Sequence, residues 1–144
     1  YYKYRDVLDF FGKDTTDDDM VSLHITKGFD TTDEEYYREA LKISGKKNVA
    51  IFTDGIDWFE IRQIVDRFNS DSLYNFYYVP KSDTCCDEID FVLMSMFKNN
   101  IIANSTYSLW ASYISYYDDK VIIAPQILTS QYKDIAHKYI SNII

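Results

Sequence analysis

Three short stretches carry residue types that can handle an anion or a nucleotide. In "HITKGFD", Lys27 and Gly28 follow His24, Ile25 and Thr26; the lysine brings a positive charge, and the glycine lets the backbone approach a ligand closely. His24 can serve such a ligand or be a satisfied structural residue. "FTDGIDW" offers Asp54, whose carboxylate can accept hydrogen bonds from a ribose or a base edge, or can cap the helix that follows. "IIANSTYSLW" packs Asn104, Ser105, Thr106 and Ser108 between two apolar runs. That corner reads as a helix start, where unpaired N–H groups and the helix dipole favour phosphate, although the same residues suit plain capping. "NST" also matches a glycosylation acceptor, but a buried strand-to-helix corner is a poor site for one. The sequence holds no Walker loop, no GxGxxG, no metal-ligand cluster and no nucleophile triad.

The elements that must position these stretches alternate. "MVSLHIT" reads as a strand ending near Thr26, followed by a loop and a helix within "KGFDTTDEEYYREALKIS", with Thr32 or Asp33 as its cap and Lys42 near its end. "NVAIFT" is a buried strand, "DGIDWFEIRQIVDRF" a helix with apolar positions at Ile56, Phe59, Ile64 and Phe68, and "YNFYYV" a third strand. After a loop with Pro80 and the cysteines come the helix "DEIDFVLMSMFKN", the strand "NIIAN", the helix "STYSLWASYIS", the strand "KVIIAP" and a closing helix from about Ser130. Apolar strands each followed by a helix call for a doubly wound α/β domain with a parallel, Rossmann-like sheet of about five strands. Ligands of such sheets sit beyond the carboxyl ends of the strands, where the three stretches fall.

The 144 residues suit one domain spanning 1–144. An apolar content of 47% with 26% charged residues is that of a globular protein. The net charge of -8 argues against nucleic-acid binding, which needs a basic stripe, while leaving room for a local cationic pocket. Fourteen Tyr against four Gly is unusual; core and half-buried surface explain it better than a sugar-binding face, because tyrosine combines apolar area with a polar tip. Adjacent Cys85 and Cys86 rarely bridge, so a reducing compartment is expected. No apolar run approaches the roughly 18 residues that span a bilayer, and the start is not shaped like a signal peptide. The chain begins at Tyr1 rather than Met, so it is expected to be part of a longer protein.

Taken together, "VSLHITKGFD", "AIFTDGIDW" and "DFVLMSMFKNNIIANSTYSLWASYIS…DDKVIIAP" resemble, in order and spacing, the carboxyl-terminal part of the α-1,2-fucosyltransferases of glycosyltransferase family eleven. The resemblance runs from about Met20 to Pro125, and the third block is its most specific part. His24, Gly28, Asp54, Asp90, Asn104, Ser105, Thr106, Ser108, Trp110 and Ala111 fall on the family's own letters. It implies a two-domain GT-B type transferase whose carboxyl-terminal half, this chain, binds GDP-fucose. The implied reaction is an inverting displacement without a metal or other cofactor. Lys27 and His24 are the expected catalytic residues, and Thr26, Gly28, Asp54, Asn104, Ser105, Thr106 and Ser108 the expected nucleotide-sugar contacts. The implied partners are the donor, a glycan acceptor, an amino-terminal acceptor domain and a peripheral membrane surface, with no nucleic acid. The implied place is the cytoplasm at the inner face of a bacterial membrane, or the Golgi in a eukaryote. Thr26 and Lys27 replace two family arginines, Phe29 stands at the following Asp with Asp30 one place late, and Gly55 and Leu109 replace an Asp and a Trp. Threonine cannot supply the bidentate clamp expected of the first arginine. A member using another nucleotide sugar, or an inactive binding module, is therefore the alternative.

Overall fold

The computed structural model describes residues 19–26, 31–54, 57–79, 87–126, 128 and 142–143, the side chains of 31–33, 54, 58 and 142–143 excepted. Strand β1 (Met20–Thr26) is its spine. On one edge it pairs in parallel with β2 (Asn48–Asp54), from Met20 against Asn48 to Thr26 against Asp54. On the other it meets β4 (Asn99–Ile101) only at Ser22 and Leu23. β3 (Asn75–Tyr78) lies outside β2, while β5 (Val121–Ala124) and β6 (Asn142–Ile143) lie outside β4, giving the order β3-β2-β1-β4-β5-β6 with every pairing parallel. This is the expected doubly wound sheet, and β6 adds a short sixth strand to the five read from the sequence.

A parallel sheet needs both faces covered, and four helices among the described residues do this. Helices α1 (Thr31–Ser44) and α2 (Trp58–Phe68) lie on one face, where Val21, Leu23 and Ile25 of β1 and Val49 and Ile51 of β2 meet Tyr37, Ala40, Leu41, Ile61, Ile64, Val65 and Phe68. Helices α3 (Asp87–Ser95) and α4 (Thr106–Tyr113) cover the other, where Ala50 and Phe52 meet Leu93, Met94, Phe97 and Ala111. Phe97 stands edge-on to Phe52, ring centroids 5.8 Å apart. Truncating such a ring to alanine removes about 3–5 kcal/mol, a large part of a domain's net stability of about 5–15 kcal/mol. β1 is thus covered on both faces, and its polar Ser22 and His24 are as buried as its apolar neighbours, each 2% exposed. Ser22 Oγ answers by donating to Asn100 Oδ1 of β4 at 2.6 Å, which fixes the one short contact between the two halves of the sheet.

Several boundaries differ from the sequence reading, each for a local reason. α2 begins at Trp58, because Asp57 caps it and accepts from the Phe59 N–H at 2.7 Å; Asp54 is the last residue of β2 instead. Phe59 then points outward, 71% exposed, and Ile61, Ile64, Val65 and Phe68 form the buried stripe; Ile56 lies outside the described residues. α1 starts at Thr31, so Thr32 and Asp33 fall in its first turn rather than at its cap. Lys42 is in its last turn, as expected, and Gly45 stops it with a left-handed φ of 64°. α3 ends at Ser95, where backbone bonds from Met96 to Leu93 and from Phe97 to Met94 tighten the turn into β4. Pro80, Cys85 and Cys86 and the expected closing helix from Ser130 lie outside the described residues. Among the described residues no helix is long and apolar enough to cross a membrane.

Glu34 ties the first two helices: it accepts from Arg38 of its own helix at 2.9 Å and from Arg67 of α2 at 3.0 Å. The bond from Arg38 is the main reason its carboxyl titrates below the ordinary value, against a partial desolvation that pushes the other way. A lowered folded-state pKa means that the tie stabilises fully above the ordinary carboxylate range and is lost as pH falls through the lowered value. Arg67 is exposed and Arg38 half-buried at the surface, so each pair contributes only about 0.5 kcal/mol. Glu34→Gln is therefore expected to reduce stability by that order at neutral pH and by nothing once wild-type Glu34 is protonated. Urea titrations of both proteins across that range check it; a gap that persists in strong acid contradicts it.

Candidate functional site

Strand order reverses between β1 and β4: helices α1 and α2 carry the chain outward through β2 and β3, and α3 returns it to β4 on the far side of β1. A crevice opens beyond the carboxyl ends of such a pair. Three strand ends lead toward it. β1 delivers Thr26, half-buried at the last rung, opposite Asp54 at the end of β2. Lys27 and Gly28 lie outside the described residues, as does the side chain of Asp54.

From β4 the chain passes buried Ile102 and Ala103 and emerges at exposed Asn104, half-buried Ser105 and exposed Thr106. Ser105 occupies the cap position of α4 with extended φ and ψ of -149° and 128°, and its side chain makes no cap hydrogen bond. Its backbone N–H donates to Ala103 at 2.8 Å, and its carbonyl accepts from Leu109 at 3.1 Å. The pure capping reading of this corner therefore does not describe Ser105. Ser108 sits one turn on and is 0% exposed; its hydroxyl donates to the Ser105 carbonyl at 3.2 Å. Ser108, Ala111 and Ser112 are the small buried residues of α4, its side toward α3 and the sheet.

Beside the corner lies a cavity of about 110 Å³, lined by His24, Phe52, Thr53, Asp87, Asp90, Met94 and Tyr107. Sites that swallow a whole drug-sized ligand run to about 300–1,000 Å³, so this one takes a fragment, about one ring system. Tyr107 joins it to the corner. It stands in the first turn of α4, its hydroxyl donates to the Asp87 carbonyl, and its ring meets Phe91 at 5.4 Å and His24 at 5.7 Å. The charge in the cavity is acidic, from Asp87 and Asp90 in the first turn of α3. Carboxylates repel phosphate and accept from N–H or O–H groups, so the cavity suits the donor-bearing end of a ligand. An anionic end belongs at the first turn of α4, where the helix dipole is positive. Among the described residues no three His, Cys, Asp or Glu side chains converge to hold a metal ion.

The structure thus puts His24 against Tyr107, the residue that follows the corner Asn104–Thr106, places Thr26 at the last rung of β1 across from Asp54's backbone, and turns Ser108 into the helix packing. Thr53, Asp87 and Tyr107 were missed as site residues. They come from three elements far apart in the chain; the signal available was the third block itself, which contains Asp90 and Tyr107.

Thr53 Oγ1 is buried with no hydrogen-bond partner among the described residues. An orphaned buried hydroxyl costs about 1–3 kcal/mol, which a fold tolerates where a ligand completes the bond. Thr53→Val is expected to raise the melting temperature of the ligand-free protein while weakening whatever fills the cavity. Calorimetry with and without ligand checks both, and a destabilised variant would show that the hydroxyl is already satisfied.

Comparison with known proteins bears on this arrangement. The sequence family described as Glycosyl transferase family 11 matches residues 19–142. An O-antigen biosynthesis glycosyltransferase, WbnK, of Escherichia coli is 32% identical over 113 residues, covering 76% of this chain and 35% of the relative. An alpha-1,2-colitosyltransferase of Escherichia coli is 33% identical over 123 residues, covering 73% of this chain and 39% of the relative. The chain therefore spans little more than a third of the length of these curated relatives. No solved structure matches it significantly.

Proposed function

The chain belongs to glycosyl transferase family 11, and from that premise we propose that it is the donor-binding part of a transferase that moves L-fucose from GDP-fucose to a sugar hydroxyl in glycan assembly. The observation that carries this reading is the Ser105 corner at the start of α4, joined through Tyr107 to an acidic cavity near the carboxyl ends of β1 and β2. The two ends of that site are complementary to the two ends of a guanosine diphosphate. Guanine offers adjacent N1–H and N2–H donors that one carboxylate, Asp90, can accept together, with His24 and Tyr107 against the ring. Uracil has a single N–H between two carbonyl acceptors and would meet Asp90 with repulsion. The diphosphate lies toward Asn104, Ser105 and Thr106, where hydroxyls and first-turn N–H groups receive it, with Lys27 as its cation and Gly28 allowing close approach. Asp54 remains assigned to the ribose side.

In the reaction an acceptor hydroxyl attacks the anomeric carbon of the sugar while the bond from that carbon to the β-phosphate oxygen breaks, inverting the centre. The hydroxyl proton goes to a base outside this chain, in the remainder of the transferase. Positive character grows on the sugar and negative charge on the departing diphosphate, so donors fixed at the corner and Lys27 lower the barrier without a metal. Acceptor recognition and any peripheral membrane contact belong to the remainder as well.

A second donor sugar has specific support: one relative is named as an alpha-1,2-colitosyltransferase, and colitose is the 3-deoxy counterpart of L-fucose. Isothermal titration of the full-length protein is expected to show GDP binding that Asp90→Asn weakens by about 1–3 kcal/mol, as loss of one bidentate base contact does, with UDP bound poorly by both. Absence of GDP binding by the wild type sinks this reading.

By the resemblance, Thr26 stands at the position of a family arginine, and a preorganised donor to a developing negative charge is worth about a hundredfold to a thousandfold in rate. Thr26→Arg is expected to raise turnover toward that range in an assay with labelled GDP-fucose, unchanged by EDTA, while GDP affinity moves much less. A variant no faster than wild type would mean that Lys27 and α4 already complete the phosphate site.

A further inference from the structure

Tyr36 and Tyr37 are neighbours on α1, yet their hydroxyls hold different strands. Tyr37 Oη donates to the carbonyl of His24 on β1 at 2.7 Å. Tyr36 Oη donates to the carbonyl of Ile102, just past β4, at 2.7 Å and lies 3.0 Å from that of Ile123 on β5; its single proton is shared between the two. The rings pack 4.9 Å apart, tilted by 57°. The His24 and Ile102 carbonyls sit where the sheet splits, whereas the Ile123 carbonyl already accepts from the Ile102 N–H at 3.0 Å. Pairing between β1 and β4 ends at Leu23 against Ile101, so backbone groups beyond that rung need partners from outside the ladder. The tyrosines supply them from beneath, on the face opposite the cavity, because Tyr37 belongs to the α1–α2 core whereas Phe52 and Met94 of the cavity belong to the other.

An apolar helix face needs no hydroxyl to bury itself, and phenylalanine would fill the same volume. What the hydroxyls add is a fixed distance. We propose that Tyr36 and Tyr37 are a pair of positioning residues that set the gap between the end of β1, which carries His24, and the end of β4, which carries the Ser105 corner. They touch no ligand and act through the two strands. The assignment rests on the donor-site reading above, since the gap they span is the one between the base cavity and the phosphate corner.

In the full-length transferase, Tyr36→Phe, Tyr37→Phe and the double variant keep the rings and remove the hydroxyls. The dissociation constant for GDP and the KM for GDP-fucose are expected to rise on the order of threefold in each single variant and tenfold in the double, as small misplacements of a site do. The acceptor KM stays put, and amide hydrogen exchange in residues 101–106 of the ligand-free protein quickens. The single variants carry the test if the double does not fold. Variants that bind GDP as tightly as wild type, whatever their melting temperature, overturn the positioning role and leave the donor site standing. A wild type that binds no GDP overturns the donor reading and this role with it.

Discussion

Everything in this domain follows from one strand having to be buried on both faces and both edges. β1 pairs along its full length with β2 and only briefly with β4, and the asymmetry is what opens the molecule. Beyond Leu23 and Ile101 the β1–β4 ladder stops, and beyond the carboxyl ends of such a pair a crevice is expected. Short as it is, the β1–β4 contact is reinforced at its base by polar bonds: Ser22 to Asn100, Asn100 Nδ2 to the Phe97 carbonyl at 3.0 Å, and Asn99 Nδ2 to the Met20 carbonyl at 3.2 Å. Buried hydrogen bonds of this kind fix register where apolar packing alone would tolerate slippage. The amino ends of the strands are locked, while beyond Ile101 the two strands no longer pair.

On the proposed reading, that division lets an acidic protein present an anion site. With a net charge of -8, long-range attraction would not draw a nucleotide in, so short-range dipoles at fixed positions would have to do the binding. α4 is suited to this because its small buried residues Ser108, Ala111 and Ser112 let it lie close to α3, which brings Tyr107 onto the Asp87 carbonyl and puts the first turns of both helices at one cavity. Acidic and dipole-positive ends therefore stand side by side, a polarity suited to a ligand with donor groups at one end and negative charge at the other.

The sequence made the sheet legible because "MVSLHIT", "NVAIFT" and "KVIIAP" are β-rich runs at regular spacing. Local capping chemistry was less so: Asp54 and Asp57 are equally good caps by type, and which one serves depends on where β2 stops pairing with β1. Phe59 looked like core by its chemistry, yet starting α2 at Trp58 turns it to solvent. The corner was visible in outline as a polar interruption between apolar elements. The cavity beside it was not, because no spacing rule links Thr53, Asp87 and Tyr107, which meet only once α3 crosses back over β1. The tyrosine excess, read as core and half-buried surface, has a more definite meaning: Tyr37 is buried and Tyr36 and Tyr107 half-buried, and each sends its hydroxyl to a backbone carbonyl of another element. In a chain with few glycines and many sheet-end carbonyls, tyrosine is the residue that can reach them.

On the proposed reading, holding the donor and breaking it are separable tasks here. Cavity and corner act on the base and the resting diphosphate, interactions present before and during the reaction, and uniform binding of that kind lowers KM without raising kcat. The charge that appears only as the glycosidic bond breaks needs a donor aimed at the departing oxygen, and the last rung of β1 is where the fold can aim one, half-buried and opposite Asp54. On that reading, threonine at that rung would leave binding nearly intact while withholding the donor selective for the transition state. The same scaffold could then run from slow to fast transfer through one side chain, without repacking the core that positions it.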